Sequence, residues 1–214
     1  MKKLKMRKNN TNGILITFCG LDGCGKSTML NRVISDFGND ENIFVTKQPT
    51  EAVRNSKIFR TYMDSPNHSS FDYRSLSLLA ASDRLQHVSK KIEPELKKGK
   101  MVLSDRYIYS CLANLRARGF YDDKWIYDVS KSIIKPDLAF FFDVPAEIAI
   151  SRVRKRPEEK ERFIDIQLQY KLRDEYKKIC KANGGILIST ENSEEECYSI
   201  VKKEIERVRN CGNI

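Results

Sequence analysis

A glycine-rich stretch directly after an apolar run holds the residues best suited to chemistry. Its residues are Gly20, Leu21, Asp22, Gly23, Cys24, Gly25, Lys26, Ser27 and Thr28. The pattern G-x-x-x-x-G-K-[ST] is typical of a phosphate-binding loop, because glycines let the backbone curl until successive N–H groups point at phosphate oxygens. A helix that follows the loop adds the positive end of its dipole. The sequence therefore predicts a nucleotide phosphate site here, with an ordinary glycine-rich turn as the alternative.

Two side chains of this loop carry specific expectations. We expect the Lys26 ammonium to be exposed and to reach the β- and γ-phosphates of a nucleotide. The Ser27 hydroxyl is expected to coordinate the Mg²⁺ that nucleotides carry. A nucleotide with its Mg²⁺ is therefore the predicted ligand of the loop.

A second pair of functional groups follows the apolar run 101–104. Asp105 and Arg106 stand side by side where that run ends. The carboxylate can orient Mg²⁺ or its water ligands, and the guanidinium can bind a phosphate with two parallel hydrogen bonds. A surface ion pair at a strand end is the alternative. A GTPase would need N-K-x-D and a transporter ATPase an L-S-G-G-Q-like stretch, and the sequence contains neither.

Short apolar runs alternate with longer helical stretches along the chain. The runs lie at residues 14–18, 43–46, 101–104, 138–142 and 186–189. Such runs predict strands that are buried on both faces of a parallel sheet. We therefore predict an α/β, three-layer P-loop NTPase fold, a five-stranded parallel sheet flanked by helices, with the phosphate site at the carboxyl ends of the strands.

The helical stretches are marked by breaks and caps. Residues 72–98 predict one or two helices with a break near Pro94, and residues 125–134 predict a helix that must end before Pro136. Ser193 and Glu196 have the spacing of a capping box at the start of the last helix. The apolar positions of that helix recur at helical spacing and predict one buried face, at Cys197, Ile200, Val201, Ile205 and Val208.

Length and charge favour one domain. The chain has 214 residues and a net charge of +10, half of which comes from Lys2, Lys3, Lys5, Arg7 and Lys8. We predict a basic, disordered tail at residues 1–12 and a single P-loop domain at residues 13–214. Because no basic strand is rich in aromatic residues, we expect no nucleic-acid partner, and small-molecule phosphates explain the remaining positive charge.

Cysteine usage and hydropathy indicate the compartment. The six cysteines include no C-x-x-C pair, which favours reduced thiols over disulfides or a zinc site. No apolar run reaches membrane-spanning length, and the lysine-rich start lacks the apolar segment of a signal peptide. We expect a soluble, cytoplasmic protein without a membrane partner.

Four motifs in order resemble the thymidylate kinase family across nearly the whole chain from Ile14. They are the loop 20–28, the segment 78–84 (LLAASDR), the segment 104–107 (SDRY) and the segment 135–138 (KPDL). The resemblance implies transfer of the ATP γ-phosphoryl group to a deoxynucleoside monophosphate such as dTMP, and a homodimer built from helix faces. It places Asp22 at the sugar 3′-hydroxyl, Arg106 and, more weakly, Arg60 at the acceptor phosphate, and Arg84 at a polar edge of the base.

The resemblance also implies a lid over ATP at about residues 152–165. Its basic residues are Arg152, Arg154, Lys155, Arg156 and Arg162. The phosphate-binding loop contains one lysine and no arginine. Arg154 or Arg156 of the lid is therefore expected to act on the migrating phosphoryl group. A solvated, salt-bridged helix surface is the alternative for any one of them.

The chain departs from the family pattern in the acceptor pocket. Gln48-Pro49 stands where the family usually has Glu-Pro, although Pro49 can still form a tight, cis turn. Ala80 replaces a phenylalanine that stacks on the base, so Phe71, Tyr73 or Phe163 must fill in or the stacking is lost. Asn114 replaces a tyrosine that crowds the sugar 2′ position. The alternatives are therefore a kinase for another pyrimidine or modified nucleoside monophosphate, or a nucleotide-binding protein without catalysis.

Overall fold

The structure, a computed structural model, describes residues 1–38, 42–65, 71–161 and 163–211, so Arg162 of the predicted lid lies outside the described residues. The strands are β1 Ile14–Gly20, β2 Ile43–Lys47, β3 Met101–Asp105, β4 Leu138–Asp143 and β5 Ile186–Ser189. The helices are α1 Lys26–Phe37, α2 Glu51–Arg54, α3 Lys57–Asp64, α4 Tyr73–His87, α5 Glu93–Lys97, α6 Ile108–Ala117, α7 Trp125–Ser130, α8 Ala146–Arg154, α9 Ile166–Asn183 and α10 Glu194–Cys211.

The described strands form one parallel sheet in the order β2-β3-β1-β4-β5. Helices flank this sheet, which confirms the predicted α/β fold. Every residue of β1 and β3 is buried, as expected for strands covered on both faces. The same expectation is wrong for β2 and β5, which lie at the sheet edges and are only partly buried. An edge strand has a neighbour on one side alone, so fewer side chains cover it.

The strand register brings three chain segments to one edge of the sheet. Phe18 in β1 pairs with Asp105 at the end of β3, and Lys47 at the end of β2 pairs with the same residue. Parallel strands end at a common edge, so the chain leaves β1, β2 and β3 side by side. The glycine-rich loop, Gln48-Pro49 and Asp105-Arg106 therefore start from neighbouring points.

The helices follow the predicted breaks with two adjustments. A π-helical segment, Val88–Ile92, joins α4 to α5 without a break, and Pro94, in the first turn of α5, has no N–H to donate to the preceding turn. Helix α7 ends at Ser130, four residues before the predicted end at Ile134. The backbone of Ile134 forms a parallel bridge with Arg7, which a helical conformation would not allow.

The capping box of α10 is confirmed. The Ser193 hydroxyl accepts a hydrogen bond from the Glu196 N–H at 3.2 Å, and the Ser193 N–H donates to the Glu196 carboxylate at 2.9 Å. On the apolar face, Cys197, Val201 and Ile205 are buried, whereas Ile200 is 39% exposed and does not belong to it.

The N-terminal segment differs from the solvated tail that the sequence predicts over residues 1–12. Leu4 is buried, and its N–H donates to the Asn183 side chain at 3.0 Å. Arg7 pairs with Glu93 at 3.0 Å and bridges to Ile134. The lysines are exposed, but the apolar and backbone groups between them bind to the rest of the protein. Among the described helices, none has the length and apolar character needed to cross a membrane.

Candidate active site

A cavity of about 620 Å³ lies at the edge where β1, β2 and β3 end. The predicted site residues that line it are Gly20, Leu21, Asp22, Gly23, Gly25, Lys26, Ser27, Thr28, Pro49, Arg60, Arg84, Asp105, Arg106, Asn114, Arg156 and Phe163. Two predicted residues are not part of its lining. Cys24 is fully buried beneath the loop, and Arg154 lies on the outside of α8.

The glycine-rich loop has the conformation that a phosphate-binding loop requires. Gly23 has a φ of 81°, and a Cβ at this position would lie 2.2 Å from the Ala149 carbonyl oxygen. Gly25, at a φ of 92°, is the N-cap residue of α1, whose first turn carries no acidic residue and no side-chain cap. The first N–H groups of α1 therefore stay available for an anion, next to the exposed Ser27.

Lys26 lines the cavity but is buried, at 6% exposure, so the expectation of an exposed ammonium is wrong. Its Nζ donates to the carbonyl oxygens of Gly20 at 3.2 Å and Leu21 at 2.5 Å. The curled loop turns these carbonyls toward the ammonium, and they satisfy a charge that would otherwise be costly to bury. The loop thus fixes the cation in place.

Arg106 contacts the loop from the neighbouring strand. Its guanidinium donates to the Asp22 carboxylate at 2.5 Å, to the Gly20 carbonyl oxygen at 3.2 Å and to the Tyr176 hydroxyl at 3.2 Å. Burial alone would lower the pKa of Arg106, but the Asp22 carboxylate raises it well above its ordinary value. The backbone φ of Arg106 is 69°, a left-handed conformation that is uncommon outside glycine and concentrated at functional sites.

Asp105 presents one free carboxylate oxygen. The residue is 8% exposed, and its Oδ1 has no hydrogen-bond partner among the described residues. Its Oδ2 lies 3.6 Å from Lys47 Nζ. Buried polar atoms are almost always satisfied, so an orphaned carboxylate oxygen beside a cavity indicates a place for a cation or a water ligand.

The segment after β2 brings a further cation to the cavity. The Gln48-Pro49 peptide bond is cis, as the sequence allows, and the Pro49 carbonyl oxygen accepts a hydrogen bond from Arg54 Nε at 2.8 Å. Burial, with the nearby Arg106 guanidinium, lowers the pKa of Arg54 below its ordinary value. By contrast, Arg60 pairs with Asp64 at 2.6 Å, and both side chains are more than half exposed. Arg54 is therefore the more deeply placed of the two arginines.

Arg84 lies on α4, buried at the cavity wall. Its Nη1 donates to the Ala80 carbonyl oxygen at 2.9 Å and its Nε to the Tyr107 carbonyl oxygen at 3.3 Å. These bonds fold the guanidinium back along the helix that carries Ala80. Ala80 itself lines the cavity, so no ring stands at this position.

Asn114 lies on α6 with both ends of its amide engaged. Its Nδ2 donates to the Ser110 carbonyl oxygen at 2.9 Å, and its Oδ1 accepts from Arg118 at 2.8 Å. Of the three rings proposed to replace a stacking phenylalanine, Tyr73 and Phe163 line the cavity. Phe71 is absent from that lining and packs edge-on against Tyr62, with 5.2 Å between ring centroids.

The predicted lid at residues 152–165 divides its arginines between different tasks. Arg156 lines the cavity. Arg154 donates to the Lys160 carbonyl oxygen at 2.5 Å on the protein surface. Arg152 donates to the Thr190 carbonyl oxygen at 3.1 Å and to the Gly23 carbonyl oxygen at 3.5 Å, which connects α8 to the glycine-rich loop.

The cavity as a whole is positively charged. Among the described residues, eight Lys or Arg residues line it against five Asp or Glu residues. Low-dielectric walls with an excess of one sign of charge concentrate ligands of the opposite sign. The arrangement can bind a polyphosphate at the loop and a second phosphate near Arg106 and Arg54.

Comparisons with known proteins agree with this geometry. The sequence model of the family described as Thymidylate kinase matches residues 18–201. The chain belongs to the thymidylate kinase family. It is 32% identical over 204 residues to a probable thymidylate kinase of Thermococcus gammatolerans, which covers 90% of this chain and 98% of that protein. It is 36% identical to a probable thymidylate kinase of Thermococcus kodakarensis (78% and 84% covered) and 37% identical to a thymidylate kinase of Lactobacillus helveticus (71% and 74%).

Several residues that line the cavity were not predicted from the sequence. Arg54 and Tyr176 belong to no motif, and only the folded chain brings them to the cavity. Arg118 could have been found, because Cys111, Asn114 and Arg118 are spaced at i, i+3 and i+7 and so share one face of α6. Ser77, Ala80 and Arg84 have the same i, i+3, i+7 spacing and so share one face of α4.

Proposed function

We propose that this protein transfers the γ-phosphoryl group of ATP to dTMP, with Mg²⁺, and releases ADP and dTDP. The observation that carries the proposal is that the glycine-rich loop and the Asp105-Arg106 pair line one continuous cavity. Phosphoryl transfer requires two phosphates in line and close together, with positive charge around them. Family membership supports the choice of dTMP as acceptor.

The donor phosphates bind at the loop in this account. The N–H groups of residues 20–28 and the start of α1 bind the phosphate oxygens, and Lys26 supplies a fixed positive charge next to them. Because its ammonium is already held by Gly20 and Leu21, Lys26 loses little freedom when ATP binds. This preorganisation favours charge that develops during transfer.

The residues present fit a Mg²⁺ ion. Mg²⁺ prefers oxygen ligands and is commonly held by one or two carboxylates, a hydroxyl, water and substrate phosphates. The exposed Ser27 hydroxyl and the orphaned Asp105 Oδ1 both line the cavity and can supply such oxygens or bind the water ligands. When bound, the ion neutralises phosphate charge.

The acceptor binds on the other side of the loop. Arg106 and Arg54 bind its phosphate, since both guanidinium groups are buried or half-buried near each other and an anion relieves their repulsion. Arg60, at the cavity rim, is a weaker contributor. Asp22 binds the sugar 3′-hydroxyl, and Arg84 donates to a polar edge of the base. Pro49, Asn114 and Phe163 line the nucleoside pocket.

The transfer step itself needs positioning more than covalent chemistry. An oxygen of the acceptor phosphate forms a bond to the γ-phosphorus as the bond from that phosphorus to the β-phosphate oxygen breaks, and ADP keeps the electron pair. Charge develops on the migrating group, and Arg156 is the lid arginine that can stabilise it from the cavity wall. Closure of the lid excludes water, which would otherwise accept the phosphoryl group.

Replacement of Arg106 tests the proposal that the acceptor phosphate and ATP bind at separate groups of residues. In Arg106→Gln, the acceptor KM should rise at least tenfold and transfer should fall sharply, while ATP affinity changes little. Lys90→Gln is the control, because Lys90 is exposed and is not part of the cavity lining. Equal loss of ATP and dTMP binding in Arg106→Gln would contradict the proposed acceptor site.

Two further proposals rest on the family resemblance and composition. We propose a homodimer formed through helix faces, which a monomer mass independent of concentration would contradict. We also propose a cytoplasmic location, in keeping with the free thiols of Cys19, Cys24, Cys111, Cys180 and Cys197.

A further inference from the structure

Arg118, which the proposed reaction does not use, forms the centre of a cluster at the cavity wall beside α4 and α6. The Arg118 guanidinium lies over the Tyr73 ring, 3.6 Å from its centroid. Its Nη1 donates to the Asn114 Oδ1 at 2.8 Å, and its Nη2 donates to the Tyr62 hydroxyl at 2.5 Å. Groups from α3, α4 and α6 thus fix one guanidinium at the cavity wall.

These contacts leave part of the donor capacity of Arg118 unused. A guanidinium carries five N–H donors, and Nη1 also donates to the Asn114 carbonyl oxygen at 3.1 Å. Within the part of the chain that the structure describes, no group accepts a hydrogen bond from Nε or a second one from Nη2. A rigid, cavity-lining guanidinium with spare donors is suited to bind an oxygen atom of a ligand.

Ser77 gives a second, independent indication. It lines the cavity, is 2% exposed, and its hydroxyl has no hydrogen-bond partner among the described residues. It follows Tyr73 by four residues on α4, so both lie on the same face of the helix. Buried hydroxyls normally have a partner, and a bound ligand would supply it here.

The distance along α6 indicates which part of the ligand is involved. Arg106 lies just before α6 and Arg118 directly follows its last residue, and the helix has ten residues. At 1.5 Å per residue the helix that separates the two arginines is about 15 Å long. The acceptor phosphate at Arg106 is therefore out of reach of Arg118, and the nucleoside part of a monophosphate is of the right size to extend toward it.

We propose that Arg118 and Ser77 bind an oxygen atom on the nucleoside part of the acceptor and thereby help to determine which acceptor is used. This inference rests on the proposed phosphoryl transfer. The oxygen is a carbonyl oxygen of the base or a hydroxyl of the sugar. Both kinds of oxygen accept hydrogen bonds, and acceptor nucleotides that lack one or the other distinguish between them. A ligand without an oxygen there leaves buried donors unsatisfied and is selected against.

The test measures steady-state kinetics of Arg118→Ala, Arg118→Lys and Ser77→Ala with dUMP, UMP and dCMP as acceptors. Arg74→Ala is the control. Arg74 is the second residue of α4 and also lies over an aromatic ring, that of Phe120, but it is exposed and is not part of the cavity lining. We expect Arg118→Ala to raise the acceptor KM about tenfold, with kcat and the ATP KM within about twofold of the unaltered protein. Arg118→Lys and Ser77→Ala should each give a smaller rise.

Ratios of kcat/KM between two acceptors identify the oxygen, because the folded fraction of a variant cancels in them. A fall in the UMP to dUMP ratio assigns Arg118 to the sugar 2′-hydroxyl, and a fall in the dUMP to dCMP ratio assigns it to the base 4-carbonyl. An equal rise in KM for all three assigns it to an oxygen that they share. If Arg118→Ala fails to fold, the acceptor KM values of Arg118→Lys and Ser77→Ala test the inference.

Two results would overturn the inference. One is an unchanged acceptor KM in the folded variants, and the other is a parallel change in acceptor and ATP KM that matches Arg74→Ala, which would indicate a purely structural role. A failure of the unaltered protein to phosphorylate any acceptor would instead overturn the proposed function, and this inference with it.

Discussion

The Arg106 guanidinium lies 2.5 Å from the Asp22 carboxylate, which joins the end of β3 to the phosphate-binding loop. Each residue comes from a different motif, and 84 residues of sequence separate them. The pairing of Phe18 with Asp105 in the sheet brings them together. The contact places the cation that we propose to bind the acceptor next to the loop that we propose to bind the donor, which favours a preorganised site.

Replacement of Lys26 should strongly slow phosphoryl transfer without unfolding the protein. We expect Lys26→Ala to lower kcat by about 10²-fold or more, because the ammonium held at Gly20 and Leu21 stabilises phosphate charge. Product analysis and thermal melting measure the two effects. Lys90→Ala removes an exposed lysine and should leave both unchanged. Turnover of Lys26→Ala close to that of the unaltered protein would refute the assignment of the loop.

The lid arginines should differ in their effect on the rate. Arg156 lines the cavity, whereas Arg154 is held by the Lys160 carbonyl oxygen, so Arg156→Ala should lower kcat about 10²-fold with a small change in ATP KM. Arg154→Ala is the matched control and should lower kcat far less. Equal losses of rate and ATP binding in Arg156→Ala, or a larger loss of rate in Arg154→Ala, would place the stabilising charge elsewhere.

The small side chain of Ala80 should leave the acceptor pocket less selective than a pocket with a stacking ring. Since Ala80 lines the cavity, Ala80→Phe should direct a ring into open space and strengthen dTMP binding by about 1 kcal/mol, or about fivefold in KM. Values of kcat/KM for dTMP, dUMP and UMP on both proteins test this expectation. Strong native preference for dTMP, together with weaker binding in Ala80→Phe, would mean that another group already fills the space.

His87 should make stability depend on pH. Burial lowers the pKa of His87, with Asp83 acting against that shift and Lys91 and Arg84 adding to it. The unfolded chain therefore binds the proton more tightly, and stability is lost as the pH falls below about 6.5 toward the lower folded pKa. The Thr46 hydroxyl lies 2.9 Å from His87 Nε2, and the amide in His87→Gln keeps a polar partner for it. This variant should flatten the profile of Tm against pH in this range. Other groups titrate in both proteins, so identical profiles would contradict the role of His87.

The fold was predictable because local patterns agree with it. The apolar runs locate all five described strands, and the glycine-rich motif fixes the order of β1, the loop and α1. Edge exposure of β2 and β5 was not predictable, because strand order is a property of the whole sheet. The anchoring of Leu4 and Arg7 depends on partners 179 and 127 residues away, which no local pattern indicates.

The site was predictable where residues belong to motifs. Lys26, Ser27, Asp105 and Arg106 meet at the cavity as expected. Burial of Lys26 was not foreseen, because it depends on which way two loop carbonyl groups turn. The separation of Arg154 from Arg156 likewise depends on where α8 ends, because Arg154 is the last residue of the helix and Arg156 lies beyond it in an extended conformation.

The most direct test of the central claim follows the γ-phosphoryl group of ATP. The unaltered protein is incubated with Mg²⁺ and γ-labelled ATP, with and without dTMP, and the labelled products are separated. The account predicts label in dTDP, ADP formed in equal amount and only with dTMP present, and no transfer once Mg²⁺ is chelated. Tight ATP binding with no labelled dTDP, or label released as inorganic phosphate regardless of dTMP, would contradict it.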